Sequence, residues 1–594
     1  MSIRGSFETE FRTPLLIPNP EDFMGLATAD WIALGGYLIG VTLLGIWASR
    51  KVTGMADFVM PRRFGKLMML MHGFGTSTHS DQAVTVASKC YTSGLSGIWF
   101  QWMWLFATPF FWLIAPMMRR FRALTTADVF AARYAPSVAI LFCIFGLAKF
   151  VVTIGNMLKG SGSVVEACTG SAISAEAAIV VMTVLFVVYG LAGGLRAAII
   201  TDFVQGILTL LFSFLLLPVV LNAVGGLPGM RTALAELSPD RDMLSLVTPG
   251  DIGVFYIGMI AINALLSVTV QPHNMGTCAA GRTEIEGAVG FMGGTFLKRI
   301  CTVAWCLTGL AAFALYRGAA DVEPDKVYGL MAAEFLPQLL PGLLGLFLAG
   351  LLATVMGSCD SFMISAAGLV TENLYRPAFP GRSETHYLWV ARASGLAVVL
   401  VAIGYAFWLS GVIQGLEILW KLNAVMAPAF WLGVFWRGAT TSGAWAATIL
   451  TAGTWWVTNL TSTATSLAAL PFAKPLGIVV NRNDAWAIST PWQMLAYLTA
   501  GFVGGIVVSL LTAKSDPAKL ERFYELMRTP VQPDEIIDSP CTLPAGVTPS
   551  PRRVFFPTTS LELPIPSRLA MSGFVVGWLL VFAIIGGVWL LIAS

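Results

Sequence analysis

Long stretches of this chain carry no charged side chain, and that feature limits its fold more than any other. Phe203–Met230 and Met571–Ser594 contain no Asp, Glu, Lys or Arg. Each stretch exceeds the roughly 20 residues that a helix needs to cross the hydrocarbon core of a bilayer. Only 12% of the 594 residues are charged, against roughly 25% in soluble proteins. The sequence therefore predicts an all-α polytopic membrane protein rather than a series of soluble domains.

Apolar segments recur from Ile32 to the C-terminus, and at about 20 residues each they predict about 14 transmembrane helices. The predicted starts are Asp30, Lys66, Ile98, Ser137, Ala177, Leu195, Ile252, Ala288, Leu339, Tyr387, Gly411, Gly443, Trp492 and Met571. Lys and Arg are concentrated in the odd-numbered loops, whereas the even-numbered loops are poorer in them or offset them with Asp and Glu. Because positive loops mark the cytoplasmic side, we expect a plasma (cell inner) membrane protein with both termini outside.

Several function classes are disfavoured by the composition. The net charge of +3 is too small and too scattered to predict binding to nucleic acid. The eight cysteines show no CxxC or CxxxC pairing, so the sequence predicts no metal or disulfide framework. No catalytic motif is present, and we expect that the protein is not an enzyme.

Two of the predicted spans are interrupted by polar residues. Between Gly73 and Gln82, nine of ten positions are glycine or polar. The seventh span contains Pro272, His273 and Asn274, and proline removes a backbone donor. Two discontinuous helices placed five helices apart are typical of inverted-repeat transporters. Three of the four histidines lie in these interruptions, as functional groups or as polar spacers bonded to nearby carbonyls.

Two further spans contain costly polar side chains, and such residues within a membrane are candidates for function. Asp202 lies near the start of an otherwise uncharged helix. In the ninth span, Thr354, Gly357, Ser358 and Ser361 share one helical face. Hydroxyl and carbonyl oxygens of this kind are the ligands that a hard cation prefers.

These polar segments carry a family resemblance. GGLRAAIITDFVQG resembles the GGLxAVxxTDxxQ signature of the sodium:solute symporter family, and LATVMGSCDSFMISAAGLVTENLY is similar to its AAIMSTxDSxLNSAxxxxxxDIY segment. The resemblance spans residues 30–440 and is of the sodium/glucose cotransporter type. It implies a leucine-transporter-type fold, with two inverted five-helix repeats in which the first and sixth core helices are broken. It also implies sodium-coupled symport of a small polar organic solute by alternating access.

The resemblance implies a first Na⁺ site between the first and eighth core helices. Its backbone carbonyls are those of Gly75 and Thr78, and the eighth helix contributes Thr354, Gly357 and Ser358. This chain departs from the family at Gly357, where a hydroxyl-bearing residue is usual, while Thr354 replaces the usual alanine. The expected consequence is an altered Na⁺ affinity or the replacement of Na⁺ by a proton.

A second cation site, found in some members of the family, is implied at Asp202, Asp360 and Ser361. Two carboxylates in one site repel each other unless a cation or a proton lies between them. We therefore expect a second Na⁺ or a shared H⁺ at this place. The alternative is that Asp202 only ties its helix to a cytoplasmic partner such as Arg196.

The sugar-transporting branch of the family implies substrate contacts at Gln82, Gln101, Asn263 and Lys298. Gln101 replaces a glutamate of that branch, and Leu266 stands where the branch has a tyrosine gate. The likeness to a sugar site is therefore partial, although it slightly favours a sugar-like substrate.

A carboxylate substrate is the alternative, because His79, Lys149 and Lys298 could bind one. The competing functions are thus a proton- or sodium-coupled transporter of amino acids or carboxylates, a solute sensor that does not transport, and a passive channel. The expected partners are a small solute, Na⁺ and membrane lipid. The oligomeric state is not predicted.

The predicted spans and the family resemblance divide the chain into six segments. They are an extracellular N-terminal segment (1–29), a leading helix with its cytoplasmic loop (30–63), a ten-helix transporter core (64–436), two trailing helices (437–513), a cytoplasmic Pro-rich loop (514–568) and a last helix (569–594). Within the loop, LERFYELMR predicts a short amphipathic helix, and nine prolines follow it.

Overall fold

A computed structural model describes residues 26–49, 60, 62–248, 252–318, 322–482, 485–533, 535, 537 and 539–593. Most of the predicted N-terminal segment 1–29 lies outside the described residues. The described chain is mostly helical, as the sequence predicts. Its first twelve helices are α1 (Thr28–Ser49), α2 (Lys66–Ser77), α3 (Ser80–Ser93), α4 (Trp99–Trp102), α5 (Thr108–Arg120), α6 (Thr126–Arg133), α7 (Pro136–Cys168), α8 (Ala175–Ala223), α9 (Gly226–Leu237), α10 (Val254–Ser267), α11 (Asn274–Ala279) and α12 (Glu284–Ala288).

The second half of the chain has the same character. Its helices are α13 (Gly294–Leu315), α14 (Val327–Leu339), α15 (Leu343–Gly368), α16 (Arg376–Ala378), α17 (Glu384–Trp408), α18 (Val412–Ala424), α19 (Ala427–Phe435), α20 (Thr441–Asn459), α21 (Thr461–Ala468), α22 (Thr490–Leu511), α23 (Pro517–Arg528) and α24 (Arg568–Ala593). Shorter 3₁₀ turns occupy Leu95–Ile98, Val268–Val270 and Pro324–Lys326, and π-helical turns occupy Val289–Gly293 and Leu369–Tyr375. A small antiparallel hairpin pairs β1 (Val479–Arg482) with β2 (Ala485–Ile488), with Val479 opposite Ile488.

Among the described residues, 8 helical segments are long and apolar enough to cross a membrane. They are Pro136–Cys168, Ala198–Ala223, Glu284–Leu315, Leu343–Ala378, Glu384–Trp408, Val412–Phe435, Thr490–Leu511 and Arg568–Ile592. Three shorter apolar helical stretches are Thr28–Leu44, Ala175–Val188 and Val254–Val270. The multi-pass architecture agrees with the sequence prediction, while the number fourteen stays a prediction.

Helix α8 differs from the sequence prediction of two spans that begin near Ala177 and Leu195. It is continuously helical over 49 residues, and a straight helix of that length would be roughly 74 Å long. Gly190 packs against Asp360, and Gln205 packs against Gly357. These contacts are fifteen residues apart in α8 but only three apart in α15. A straight helix cannot make both, so α8 bends between Gly190 and Gln205.

Both predicted interruptions are present. Helix α2 ends at Ser77 and α3 begins at Ser80, with Thr78 and His79 in extended conformations between them. The second interruption follows the 3₁₀ turn Val268–Val270, where the backbone becomes extended before α11. Because Thr78 and His79 in the first break and residues 268–271 in the second are buried, both breaks leave backbone groups inside the bundle. The site described below is built around these groups.

The segment 514–568 contains the predicted amphipathic helix as α23, followed by extended chain. Tyr524 of α23 donates a hydrogen bond of 2.8 Å to the carbonyl of Gly433 at the end of α19. Further along, Glu535 forms an ion pair with Arg122, which follows α5, and the two side chains are 2% and 0% exposed. Burial alone would raise the pKa of Glu535, but hydrogen bonds from Arg122 and the Gln532 amide lower it below its usual value. The segment is therefore fastened to the helix bundle by buried polar contacts.

Candidate solute and cation site

The first interruption joins α2 to α15 through a backbone carbonyl. The Gly75 carbonyl accepts a hydrogen bond of 3.2 Å from Ser358 Oγ and one of 3.1 Å from the Thr78 amide. Ser358 is fully buried. The buried Thr78 hydroxyl has no hydrogen-bond partner among the described residues. Two carbonyl and hydroxyl positions that the resemblance assigns to Na⁺, at Gly75 and Ser358, are thus in direct contact.

Asp202 of α8 lies beside this contact. Its Oδ2 is 2.8 Å from His72 Nδ1 and accepts a hydrogen bond of 3.2 Å from Thr76 Oγ1. The side chains of all three residues are buried. The sequence placed His72 in the interruption but did not assign it to Asp202, because the partner lies 130 positions away in the chain. One oxygen of Asp202 is therefore held by α2.

The other Asp202 oxygen faces Gly357 of α15. A β-carbon placed on Gly357 would lie 2.8 Å from Asp202 Oδ1 and would overlap Gln205 Oε1. The structure therefore brings together Gly75, Ser358, Gly357 and Asp202.

The remaining predicted cation residues have different surroundings. The Thr354 hydroxyl donates a hydrogen bond of 2.7 Å to the Leu351 carbonyl of its own helix. Both carboxylate oxygens of Asp360 and the hydroxyl of Ser361 are buried and lack hydrogen-bond partners among the described residues. Asp360 packs against Gly190, where a β-carbon would overlap its Oδ1. Asp360 and Ser361 thus present unused oxygens one helical turn from Gly357.

The oxygen atoms around Gly75 and Gly357 are suitable ligands for a small alkali cation. They are a backbone carbonyl, a hydroxyl, a carboxamide oxygen and one carboxylate oxygen, with no sulfur in the set. Oxygen ligands of this kind bind hard cations. Unpartnered buried oxygens at Gln205, Asp360 and Ser361 add to the fit, because buried polar atoms normally have a partner.

A cavity with an empty volume of about 730 Å³, part of it open to solvent, lies next to the first interruption. Its polar lining side chains are Thr76, Ser77, His79, Asp81, Gln82, Gln101, Lys149, Thr153, Gln271, His273, Asn274, Thr295, Lys298, Arg299 and Asn423. Four of the five predicted substrate residues are in this set: His79, Gln82, Gln101 and Lys298. Among the described residues that line the cavity, Asp81 is the one acidic side chain. Lys149, Lys298 and Arg299 also line it, so basic side chains outnumber acidic ones in the lining.

The cavity and the cation residues share the end of α2. The Ser77 carbonyl accepts a hydrogen bond of 3.0 Å from Gln82 Nε2 and another from Lys298 Nζ. Ser77 lies between Gly75 and Thr78 in the chain. A change in the backbone at Ser77 therefore moves both the proposed Na⁺ ligands and the residues that line the cavity.

The far side of the cavity is built around Phe362 of α15. Lys149 Nζ lies 2.9 Å from His273 Nδ1 and 4.9 Å from the centre of the Phe362 ring. Asp81 accepts hydrogen bonds from His79 and, over 3.2 Å, from Asn156 Nδ2. Sequence reasoning considered Lys149 but gave no role to Asp81, although its position two residues after His79 was a signal.

Asn263 is the predicted substrate residue that does not line the cavity. Its Nδ2 donates a hydrogen bond of 3.1 Å to the Trp420 carbonyl. Its Oδ1 accepts one of 2.7 Å from the Tyr497 hydroxyl. Both ends of the amide are thus engaged by neighbouring helices, so the structure does not bring Asn263 to the other four residues.

Discontinuous membrane helices that enclose a polar cavity beside a cluster of oxygen ligands define a secondary transporter. The sequence model of the sodium:solute symporter family matches residues 58–451. The chain belongs to this family. It is accordingly a multi-pass membrane transporter and not an enzyme, and Na⁺ is its coupling ion.

Individual proteins agree with this placement. The chain is 24% identical over 515 residues to the osmoregulated proline transporter of Bacillus subtilis (strain 168), covering 82% of this chain and 95% of the relative. It is 24% identical over 445 residues to the sodium/proline symporter of Staphylococcus aureus (strain Newman), covering 70% and 83%. A solved Na⁺-coupled sialic acid symporter in a substrate-bound outward-open state superimposes with a TM-score of 0.66 at 17% identity, covering 82% of this chain and 99% of that one. This last likeness supports the fold.

Proposed function

We propose that this protein is a sodium-coupled symporter of a small carboxylate-bearing solute of the amino-acid class. The relatives with matching sequences are proline transporters, which supports an amino-acid substrate over the sugar-like substrate that the sequence slightly favours. The chain's likeness to the sugar branch is further weakened because Asn263 lies outside the cavity and Gln101 replaces a glutamate.

The observation that carries the proposal is the excess of basic over acidic side chains that line the cavity. Lys149, Lys298 and Arg299 line it, and Asp81 is the one acidic side chain among its described lining residues. A carboxylate would bind to the lysines through charge-assisted hydrogen bonds. The amino group of the same solute would need an acceptor, and Asp81 or the carbonyls of the first interruption supply it.

Coupling is assigned to the end of α2. We infer a first Na⁺ site at Gly75, Thr78, Thr354, Gly357 and Ser358, and bound sodium supplies a positive charge there. The Ser358 hydroxyl holds α15 to the Gly75 carbonyl. Two residues further on, the Ser77 carbonyl holds the cavity residues Gln82 and Lys298. Sodium that fixes the backbone at Gly75 therefore also helps to fix Ser77, and with it the cavity side chains of Gln82 and Lys298.

The second cation site stays a proposal at Asp202, Asp360 and Ser361. The unpartnered oxygens of Asp360 and Ser361 support it, and the contact of Asp202 with His72 makes a proton an alternative to Na⁺. We also propose a plasma-membrane location with both termini outside. The division into the six segments 1–29, 30–63, 64–436, 437–513, 514–568 and 569–594 belongs to the same proposal.

Uptake into proteoliposomes tests the proposed substrate. Proline, other amino acids, monocarboxylates and a neutral sugar would be offered with an inward Na⁺ gradient and, separately, with choline in place of Na⁺. The expected result is sodium-dependent accumulation of a carboxylate-bearing solute, lost in Lys298→Met but kept in Lys326→Met, whose ammonium pairs with Glu166 outside the cavity. Accumulation of the sugar alone, or equal uptake in both salts, would contradict the proposal.

A further inference from the structure

Gly357 leaves a gap in the proposed sodium site, because the family's pattern places a hydroxyl there. The structure shows what occupies the space. A β-carbon on Gly357 would overlap the carboxamide oxygen of Gln205 and would lie 2.8 Å from Asp202 Oδ1. The Gln205 oxygen, carried by α8, thus stands where a side chain of α15 would begin. A serine at this position and the present Gln205 conformation exclude each other.

Gln205 itself is a buried amide without a partner. The residue is 1% exposed, and neither its Oε1 nor its Nε2 has a hydrogen-bond partner among the described residues. Its neighbours along α8 do have one: the Thr209 hydroxyl, for example, donates a hydrogen bond of 2.9 Å to the Gln205 backbone carbonyl. Buried polar side chains are normally satisfied, so the unpaired amide points to a group that is not protein.

The direction of the amide identifies the chemistry of that group. Gln205 Oε1 and Asp202 Oδ1 converge on the same point beside Gly357. Two oxygen atoms that face one point repel each other unless a cation or a donor hydrogen lies between them. Side-chain carbonyl oxygens of Asn and Gln are common ligands of hard cations. An alkali cation satisfies both oxygens at once.

We propose that Gln205 Oε1 is a sodium ligand beside Gly357, where α15 has no side-chain oxygen. The inference rests on the proposed sodium site, of which it names one further member. It gives the buried amide oxygen of Gln205 a partner.

The test measures sodium binding directly, by the rise of the thermal unfolding midpoint of the purified full chain with NaCl at constant total salt, balanced with choline chloride. Ligands that bind the native state raise its stability by mass action. Gln205→Ala is expected to raise the half-stabilising Na⁺ concentration by about tenfold, the scale on which metal sites respond to loss of a supporting group. Gly357→Ser alone is expected to weaken Na⁺ binding too, because the new side chain overlaps the Gln205 oxygen.

The double variant Gln205→Ala/Gly357→Ser decides the matter. Its serine hydroxyl has the space that the glutamine vacates, so Na⁺ binding is expected to return to within about threefold of the unmodified chain, a difference below the tenfold that corresponds to roughly 1.4 kcal/mol. A Gln205→Ala variant that binds Na⁺ as the unmodified chain does would overturn the proposal. So would a double variant no better than Gln205→Ala.

Ser358→Ala separates this proposal from the sodium site on which it rests. If Ser358→Ala weakens Na⁺ binding and Gln205→Ala does not, only the role of Gln205 is wrong. If neither variant changes the response to Na⁺, the site between α2 and α15 is itself misassigned, and the inference about Gln205 is overturned with it.

Discussion

The two helix interruptions differ in where their freed backbone groups are bonded. At the first, other helices add donors to the local ones from Thr78 and Gln82. Ser358 of α15 donates to the Gly75 carbonyl, and Lys298 of α13 donates to the Ser77 carbonyl. At the second, the donors are local. Asn274 Nδ2 donates a hydrogen bond of 2.8 Å to the Val268 carbonyl, and the Asn274 amide donates one of 3.0 Å to Gln271.

This difference gives the two breaks different roles. The first links the proposed Na⁺ ligands to the solute cavity, and the second only lines that cavity. The first interruption depends on side chains of α13 and α15, so a cation or solute that moves those helices also moves the break. The carbonyls of the second interruption are bonded locally, and His273 lies in direct contact with Lys149 of α7. We therefore expect substitutions at the first break to affect Na⁺ and solute together, and those at the second to affect the solute or the stability alone.

The largest effect on solute affinity is expected from substitution of the two cavity lysines, and the two variants should differ in their effect on Na⁺ affinity. Lys298→Met removes the donor to Ser77 and a cation of the cavity, so solute affinity should fall about 100-fold, consistent with a charged hydrogen bond worth roughly 1.5–3 kcal/mol, and Na⁺ affinity should fall as well. Lys149→Met should weaken the solute alone. Isothermal titration of each variant with Na⁺ and with solute measures both quantities. If the two variants changed Na⁺ affinity equally, the proposed difference in role between the first and second breaks would be wrong.

Ser358→Ala should have the next largest effect. Loss of the contact with Gly75 frees α15 from the first break, and the half-stabilising Na⁺ concentration should rise about tenfold, equivalent to roughly 1.4 kcal/mol. Ser365→Ala is the matched control, because Ser365 lies on the same helix and, within the described part of the chain, its hydroxyl donates to the Ser361 backbone carbonyl, at 2.8 Å. If both variants respond to Na⁺ alike, the Gly75–Ser358 contact has no special role.

The Glu535–Arg122 pair provides a reference far from both breaks. Glu535→Gln should lower the free energy of unfolding by about 2 kcal/mol, less than the 3–5 kcal/mol for leaving a buried charge unpaired, without changing Na⁺ or solute affinity. Since the folded pKa of Glu535 is lowered, the pair stabilises the fold above the ordinary glutamate pKa of about 4.3. That contribution is lost as the pH falls through the lower folded value.

Unfolding measured between pH 7 and pH 3 checks this prediction. The gap between the unmodified chain and Glu535→Gln should close towards acid pH. A gap that is constant with pH would show that the carboxylate charge is not what fastens the segment 514–568.

The smallest effect is expected at the second interruption. Asn274→Ala removes the local donor to the Val268 carbonyl and should cost about 1 kcal/mol of stability, the usual price of one unmade hydrogen bond. Na⁺ affinity should not change, because the hydrogen bonds that Asn274 makes stay within the break and do not reach the proposed Na⁺ ligands. Thermal unfolding with and without Na⁺ measures both. If Na⁺ stabilised Asn274→Ala at a different concentration from the unmodified chain, the second break would also contribute to Na⁺ binding.

Much of the fold follows from local sequence features. Uncharged runs longer than a bilayer crossing predict the membrane helices, and the glycine- and threonine-rich stretch before Gln82 and Pro272 predict the two breaks. The exception is α8, where two glycines near its middle favour a turn between two spans, whereas the helix is continuous and bends. Packing of both parts of α8 against α15 overrides the local preference there.

Site residues can be predicted where a sequence motif specifies them. Their contact partners cannot, because the packing of distant helices determines those. Gly75 and Ser358 follow from the family pattern, and the structure places them in contact. The pairing of His72 with Asp202, and of Gln205 with Gly357, joins residues more than 100 positions apart. Asn263 is a position transferred from the sugar branch, and its amide is bonded here to Tyr497 of a trailing helix. Its role in substrate binding stays a prediction.

Equilibrium binding of the solute with and without Na⁺ tests the central claim, that ion and solute meet at the end of α2. The solute identified by uptake would be titrated into the purified protein in NaCl and, separately, in choline chloride of equal concentration. Coupled sites shift each other's affinity by the same factor. The dissociation constant is expected to be at least about fivefold lower in NaCl, the lower end of typical coupling. The same dissociation constant in both salts would contradict it.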